Sequence, residues 1–229
     1  MPRVVRSDDS ALLMTECPGT PWWEVREQVD AELHGRLRAE VGRGAAALHR
    51  VTGPGFGYPQ FGLAATWAEA FQTMVDALAG DADRFGVDVP AARLAKAVDA
   101  GRERLAAVAA PALVHFDLWP GNILLHDGRV GGIIDGERAF WGDPLAELAS
   151  LGLFEDVERD TAFASGYREA GGSLEFTPDT RWRLAAYQAY LYLIMLVEGA
   201  PRGYGGPDRE ATCAWVGGRL RAALDVVGG

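Results

Sequence analysis

The hydrophobic pattern changes period several times along the chain, and each change predicts an element. Two short apolar stretches, residues 3–5 and 11–16, flank the polar SDDS and read as two strands joined by a turn-rich connection. CPGTP at 17–21 breaks the chain. From Trp22 to Val51 the apolar residues Val25, Val29, Leu33, Leu37, Val41 and Leu48 recur mostly at steps of four, which predicts a long helix, with Gly42 and Gly44 as places where it could split. GPGFGYP at 53–59 reads as a loop, and residues 62–80 and 90–109 as two more helices. ILL, HDGR and VGGII then form a hairpin pattern with Asp127-Gly128 in its turn. After GDP at 142–144 the pattern is helical over 144–154, 156–170, 178–199 and 208–227. The most apolar run, YLYLIMLV at 190–197, falls short of the roughly 20 residues a membrane crossing needs and reads as a buried helix. No repeat or low-complexity tract interrupts the pattern. It describes an α+β chain: mostly helical, with a β-hairpin in its middle and a short β segment at its start.

Composition narrows the function classes. At 229 residues the chain can bury a core as one large domain or two small ones. Hydrophobic residues at 48% against 24% charged give an ordinary globular balance. A formal net charge of −10 lacks the basic footprint of nucleic-acid binding. It fits a solvated acidic surface better than attraction of a cationic substrate, although it fits both. Cys17 and Cys213 do not make a disulfide framework. MPRVVRSDDS has no apolar signal-peptide core, so the expected compartment is the cytoplasm, with no membrane partner.

The chemistry concentrates in LVHFDLWPGNILL, residues 113–125. Asp117 and Asn122 are five apart, and Pro120-Gly121 between them lets the segment fold back and aim both at one point. Thirteen residues after Asn122, Asp135 ends the second hairpin strand. A hairpin turning near 126–129 brings Asn122 and Asp135 side by side, next to Asp117. Two carboxylates and an amide oxygen form a hard-oxygen set suited to Mg²⁺, which usually arrives with phosphates.

This H-x-D-x-x-x-x-N loop, followed by a hairpin and an Asp, resembles the catalytic core of kinase-like phosphotransferases. The more specific resemblance is to the aminoglycoside phosphotransferase family, on HFDLWPGNILL and IIDGERAFWGDP, with LLM at 12–14, ECPG at 16–19 and ALHR at 47–50 in support. The resemblance implies a protein-kinase-like fold, mainly its helical C-terminal lobe, with residues 1–19 as the last strands and hinge of the small lobe and 20–229 as the helical lobe. It implies that Asp117 accepts the proton of, or orients, a substrate hydroxyl. It implies that Asn122 and Asp135 hold Mg²⁺ against the phosphates of ATP or GTP. It implies that backbone near Thr15 and Cys17 bonds adenine and that His115 buttresses the loop. Asp143 and Pro144 make a helix-start signal, which gives Asp143 a supporting role.

Three positions depart from the family pattern. Phe116 stands where the family usually has Gly, Trp119 where it usually has His, and Gly136 where an aromatic often follows the Asp. None removes an oxygen ligand, so they bear on the acceptor more than on the chemistry. At the front, GPGFGY contains a G-x-G-x-G spacing, but it follows a helix, and Pro54 lacks the N–H of a phosphate cradle. Lys96, the one lysine, lies far downstream of the hinge. The expectation is therefore a chain that starts within the small lobe, as a fragment or as a natural short form, with weakened activity.

Of the four histidines, none shows metal-ligand spacing, and His34 and His49 read as helix residues. The seven tryptophans read as mostly core, with Trp119 and Trp141 flanking the site. EDVERD at 155–160 and the loop at 199–210 read as solvated faces, with contact to a cationic amine as the alternative. The functional expectation is transfer of a nucleotide γ-phosphate to a hydroxyl of a small molecule, with aminoglycoside-like molecules, amino alcohols and sugars as the candidates. The competing expectation is an inactive kinase-like remnant acting as a binding module. The sequence leaves oligomeric state open.

Overall fold

The computed structural model describes residues 2–8 and 10–229. Strands β1 (Val4–Ser7) and β2 (Leu12–Met14) pair antiparallel, and every residue in them is exposed. The turn between them is held by Asp8, whose Oδ1 accepts from the Ser10 and Ala11 N–H groups and the Ser10 hydroxyl. Then follow β3 (Thr20–Pro21), the one-turn helix α1 (Trp22–Val25), a 3₁₀ turn over Arg26–Gln28, and α2 (Ala31–His49). The expected single helix from Trp22 is thus broken. Val29 is extended and Asp30 starts α2 afresh, its carboxylate accepting the Leu33 N–H at 2.7 Å.

Gly42 and Gly44 do not split α2. Gly42 serves a different purpose, visible in the packing of α2 on α7 (Thr161–Glu169). A Cβ on Gly42 would lie 2.3 Å from the Phe163 carbonyl oxygen, and one on Gly166 2.0 Å from that of Ala39. Small residues on both helices let the two backbones touch. A sequence pattern shows the glycine but not the partner that requires it.

Helix α3 (Trp67–Phe85) lies five residues later than its pattern suggested. The Thr66 side chain caps it, and Gly86, in the left-handed region at φ 66°, ends it by donating to the Ala82 and Asp83 carbonyls. The expected helix over 90–109 is α4 (Ala91–Ala100) and α5 (Arg102–Leu105), interrupted at Gly101, where a Cβ would meet the Trp182 ring. Next come β4 (Ala112–Val114), β5 (Ile123–His126), β6 (Arg129–Ile133) and β7 (Phe140–Gly142). The segment 144–154 resolves into a 3₁₀ turn, Pro144–Ala146, and α6 (Glu147–Leu151). Helix α7 begins only at Thr161, where Asp160 caps it. Helices α8 (Pro178–Val197) and α9 (Pro207–Gly228) match their patterns closely, and α8 opens with a reciprocal Thr177–Thr180 cap. Among the described residues, no helix is long and apolar enough to cross a membrane.

The chain divides into two compact units. The first comprises residues up to Arg50, His115–Ala139 and Ser150–Leu174. It holds the hairpin β1–β2, a three-stranded antiparallel sheet in the order β3-β5-β6, and the α2–α7 pair. The second comprises Val51–Val114, Phe140–Ala149 and Glu175–Gly229, with the strand pair β4–β7 and helices α3, α4, α8 and α9. Its core centres on Trp67, which stacks on Phe71 and Phe140 and donates its indole N–H to the Tyr187 hydroxyl at 2.7 Å. Of the seven tryptophans only Trp22, Trp67 and Trp182 are buried, so the expectation that most lie in the core is not met.

Candidate functional site

The loop His115–Asn122 leaves β4 and enters β5 inside the first unit. His115 is buried, and two bonds fix its state. Its Nδ1 accepts the Asp117 N–H at 3.3 Å, so Nε2 carries the proton and donates to the Ile134 carbonyl at 3.0 Å. The imidazole thus ties the loop to the strand leading to Asp135. Between His115 and Asp117, Phe116 adopts φ 62°, in the left-handed region, with its side chain buried. The backbone here takes the conformation for which glycine is suited, and a packed aromatic ring holds it there.

Asn122 is the hub of the loop. Its side-chain nitrogen donates to the Asp117 carbonyl at 2.9 Å and to Asp117 Oδ2 at 3.0 Å. Its own N–H donates to the Trp119 carbonyl, closing the turn through Pro120-Gly121. Both side-chain bonds use the amide nitrogen, and neither involves the amide oxygen.

The hairpin delivers Asp135. His126 pairs with Arg129 and Ile123 with Ile133, around a tight turn in which Asp127 and Gly128 both have positive φ. Beyond the ladder, the Ile134 N–H donates to the Asn122 carbonyl at 3.0 Å, so Asp135 follows directly on the residue paired with Asn122. Asp135 is itself left-handed, at φ 63°, and turns the chain out of the strand into the 3₁₀ turn Gly136–Arg138. The hairpin is braced by Glu40 of α2, which accepts from the Val130 N–H and pairs with Arg129 at 3.2 Å.

The electrostatics single out Asp117. Burial pushes its carboxyl above the ordinary carboxylate range, and the nearby Asp135 carboxylate adds to that. Arg138, the Asn122 amide and His115 pull in the other direction without cancelling it. The Arg138 guanidinium lies 3.6 Å from Asp117 Oδ1, with both side chains largely shielded. Arg138 was not singled out by the sequence. The available signal was weak: a basic residue three positions after Asp135, in the same segment as the second carboxylate.

Thr15 and Cys17 lie where the chain runs from β2 to β3. The Thr15 N–H is committed to the Arg3 carbonyl at 2.9 Å, and its hydroxyl accepts the Arg3 N–H. Any main-chain bond from Thr15 to a ligand must therefore use its carbonyl oxygen. The Cys17 side chain packs against Gly132 of β6.

Asp143 belongs to the second unit, where it caps the 3₁₀ turn through the Leu145 N–H at 3.0 Å. Its Oδ2 receives the Tyr187 hydroxyl and the Arg183 guanidinium, each at 2.7 Å. Burial and the adjacent Asp143 charge keep the Tyr187 hydroxyl protonated far beyond the usual phenol range. The 53–59 loop of that unit is equally committed. The N–H groups of Gly53, Phe56 and Gly57 donate to Pro111, Ala64 and Trp141, which leaves no phosphate cradle there. In the first unit the run at 155–160 is partly internal. Glu155 bonds His34, and Asp160 pairs with the buried Arg38. Beside the loop, Trp119, Trp23 and Phe154 form an aromatic contact that the sequence pattern indicated only at Trp119.

The donors fit a hard divalent cation of the Mg²⁺ type: an exposed carboxylate at Asp135 and an amide oxygen at Asn122. Among the described residues no cluster of three or more His, Cys, Asp or Glu forms a metal cage. Mg²⁺ bound through one or two carboxylates and substrate phosphates needs none.

Comparison with known proteins identifies the family of the chain. The family model described as "Phosphotransferase enzyme family" matches residues 2–187. A mouse ketosamine-3-kinase is 36% identical over 83 residues, a stretch covering 36% of this chain and 25% of that enzyme. Among solved structures, a fructosamine-3-kinase candidate from Thermobifida fusca superposes with a TM-score of 0.69 at 25% identity, over 98% of this chain and 73% of its own. A thermostable mutant of the aminoglycoside phosphotransferase APH(4)-Ia, in ternary complex with AMP-PNP and hygromycin B, shares the fold at TM-score 0.64 and 24% identity, over 100% of this chain and 77% of its own.

Proposed function

The chain belongs to the phosphotransferase enzyme family, and on that premise we propose that it transfers the γ-phosphate of ATP or GTP to a hydroxyl of a small molecule. One observation carries the reading: Asn122 holds Asp117 by its amide nitrogen while the hairpin register sets Asp135 beside both. Asp117 orients the acceptor hydroxyl and takes its proton. A carboxyl raised by burial is a better base than a solvated aspartate, and the Arg138 guanidinium alongside favours its ionised form. Asn122 fixes the carboxylate by a bond to Oδ2, and His115 fixes the loop backbone. Asn122 and Asp135 would hold Mg²⁺, which when bound supplies charge neutralisation to the nucleotide phosphates. The hinge at Thr15 and Cys17 would take the adenine edge through main-chain groups.

The acceptor classes are sugars, amino alcohols and aminoglycoside-like molecules. The mouse ketosamine-3-kinase supports a sugar-amine, and the hygromycin B complex of the aminoglycoside kinase supports a hydroxylated cationic acceptor. Cytoplasmic location and the absence of nucleic-acid and membrane partners belong to the same reading. So does the division into a small-lobe remnant at 1–19 and a helical lobe at 20–229.

The test is phosphoryl transfer to a panel of hydroxylated amines and sugars, with Asp117→Ala as the control. Normal turnover by that variant would remove the assignment. Nucleotide binding without transfer to any acceptor would favour the binding-module alternative.

A further inference from the structure

Asp117 sits between two peptide groups, and the fold holds both. The group before it is held through the Asp117 N–H, which donates to His115 Nδ1 at 3.3 Å. The group after it is held at both ends. Its carbonyl accepts from the Asn122 side chain at 2.9 Å and from the Trp119 N–H at 3.1 Å. Its N–H, on Leu118, donates to the Ser150 hydroxyl oxygen at 2.9 Å. Peptide groups are planar, so these two planes together set the backbone angles of Asp117 and the direction in which its side chain leaves the loop.

Of these main-chain partners only Ser150 lies outside the loop. It stands near the end of α6 and belongs to the same compact unit as the loop. Ser150 and Leu118 are both 0% exposed, so no solvent water takes the place of the hydroxyl. A buried hydroxyl costs free energy unless it is bonded, and here the Leu118 N–H supplies a bond. The same segment meets the loop a second time. The Leu153 N–H closes a turn on the Ser150 carbonyl at 3.2 Å, and the Phe154 ring that follows lies 6.2 Å from the Trp119 ring. His115 and Asn122 tie the loop to the hairpin through Ile134, so Ser150 adds an anchor that is independent of the hairpin.

We propose that Ser150 is a positioning residue for Asp117: its hydroxyl fixes the peptide plane between Asp117 and Leu118 and thereby aims the carboxylate at the acceptor hydroxyl. The proposal rests on the phosphotransferase reading above and adds a buried residue that sets the geometry of the proposed base. Without the hydroxyl, the Leu118 N–H is left unpaired, and the plane turns to find another partner. That turn carries the Asp117 carbonyl away from the Asn122 amide, which also holds Asp117 Oδ2 at 3.0 Å. The loss of one distant hydroxyl thus reaches the carboxylate.

The test compares Ser150→Ala and Ser150→Cys in the 229-residue chain. A thiol fills the space of the hydroxyl but is a weak acceptor, so the second variant separates the bond from the packing. The first readout is NMR without ligand. In both variants the Leu118 amide should exchange with solvent about tenfold faster, beyond any change shared by the other buried amides. The Asn122 side-chain amide signals should move towards those of a free asparagine. The second readout is steady-state transfer from Mg²⁺-ATP to the fastest acceptor of the hydroxylated-amine and sugar panel. In both variants kcat per folded molecule should fall by about tenfold to a hundredfold, with the KM for ATP unchanged to within about twofold. Unchanged Leu118 exchange and Asn122 signals in Ser150→Ala, an unchanged kcat in that variant, or a Ser150→Cys chain that behaves as the unmodified one would each overturn the proposal. No transfer to any acceptor by the unmodified chain, with both NMR signatures as expected, would instead refute the phosphotransferase reading and leave Ser150 as the holder of the Asp117 backbone.

Discussion

The side-chain amide of Asn122 donates to two oxygens of Asp117, the backbone carbonyl at 2.9 Å and the carboxylate Oδ2 at 3.0 Å. A residue expected to hold a metal therefore also sets the orientation of the expected base. Asn122→Ala should lower turnover by at least tenfold through misorientation of Asp117, because removing one charge-assisted bond to a reacting group typically costs about 1.5–3 kcal/mol. Steady-state kinetics with and without added Mg²⁺ distinguishes the two roles. Excess Mg²⁺ should restore nucleotide affinity but not turnover.

Arg138 predicts a pH effect. Its guanidinium lowers the Asp117 pKa against the upward push of burial. Arg138→Gln removes that pull, so the Asp117 pKa rises further. If Asp117 is the proposed base, its carboxylate is the working form, and the acid limb of the pH–rate profile should move to higher pH. A limb that stays in place or moves to lower pH contradicts the Asp117–Arg138 pairing.

Asp117 should also cost stability. Its folded pKa is raised above the ordinary aspartate value of 3.8, so it stabilises the protein fully below that pH, and this contribution is lost as pH rises through the folded value. At neutral pH Asp117→Asn should therefore melt at a higher temperature than the unmodified chain. Below about pH 3.8 the difference should vanish. Scanning calorimetry at both ends of that window reads the sign directly.

Phe116 sets strain against burial. Its left-handed backbone costs about 1–2 kcal/mol in a non-glycine residue. Losing a buried phenylalanine side chain costs about 3–5 kcal/mol. Burial wins, so Phe116→Gly should destabilise the chain by about 1–4 kcal/mol by urea denaturation, despite relieving the strain.

Asp143 tests the distinction between supporting and reacting aspartates. Asp143→Ala leaves the Arg183 guanidinium without its partner inside the second unit and should destabilise it by about 3–5 kcal/mol. The loss should appear as a lower melting temperature, with turnover per folded molecule close to that of the unmodified chain.

The loop His115–Asn122 was legible because its chemistry is local. Asp117, Asn122 and a Pro-Gly turn lie within six residues, and a two-residue hairpin turn fixes where Asp135 falls. Helices α8 and α9 were legible for a similar reason, since their caps and periodicity agree. What depended on distant partners was not. The role of Gly42 required Phe163, more than a hundred residues later, and Arg138 acquires meaning only beside Asp117. The break before α2 came from a single Asp30 cap that outweighed an unbroken apolar period. The contact among the Trp23, Trp119 and Phe154 rings joins three distant segments, and no pattern along the chain brings those together.

The central claim is that Asn122 and Asp135 hold a metal for a nucleotide beside Asp117. It is tested most directly by titrating ATP and GTP into the 229-residue chain and its Asp135→Ala variant, with and without Mg²⁺. The account predicts Mg²⁺-dependent binding by the unmodified chain and loss of that dependence in the variant. Equal affinity and equal Mg²⁺ dependence in both would contradict it.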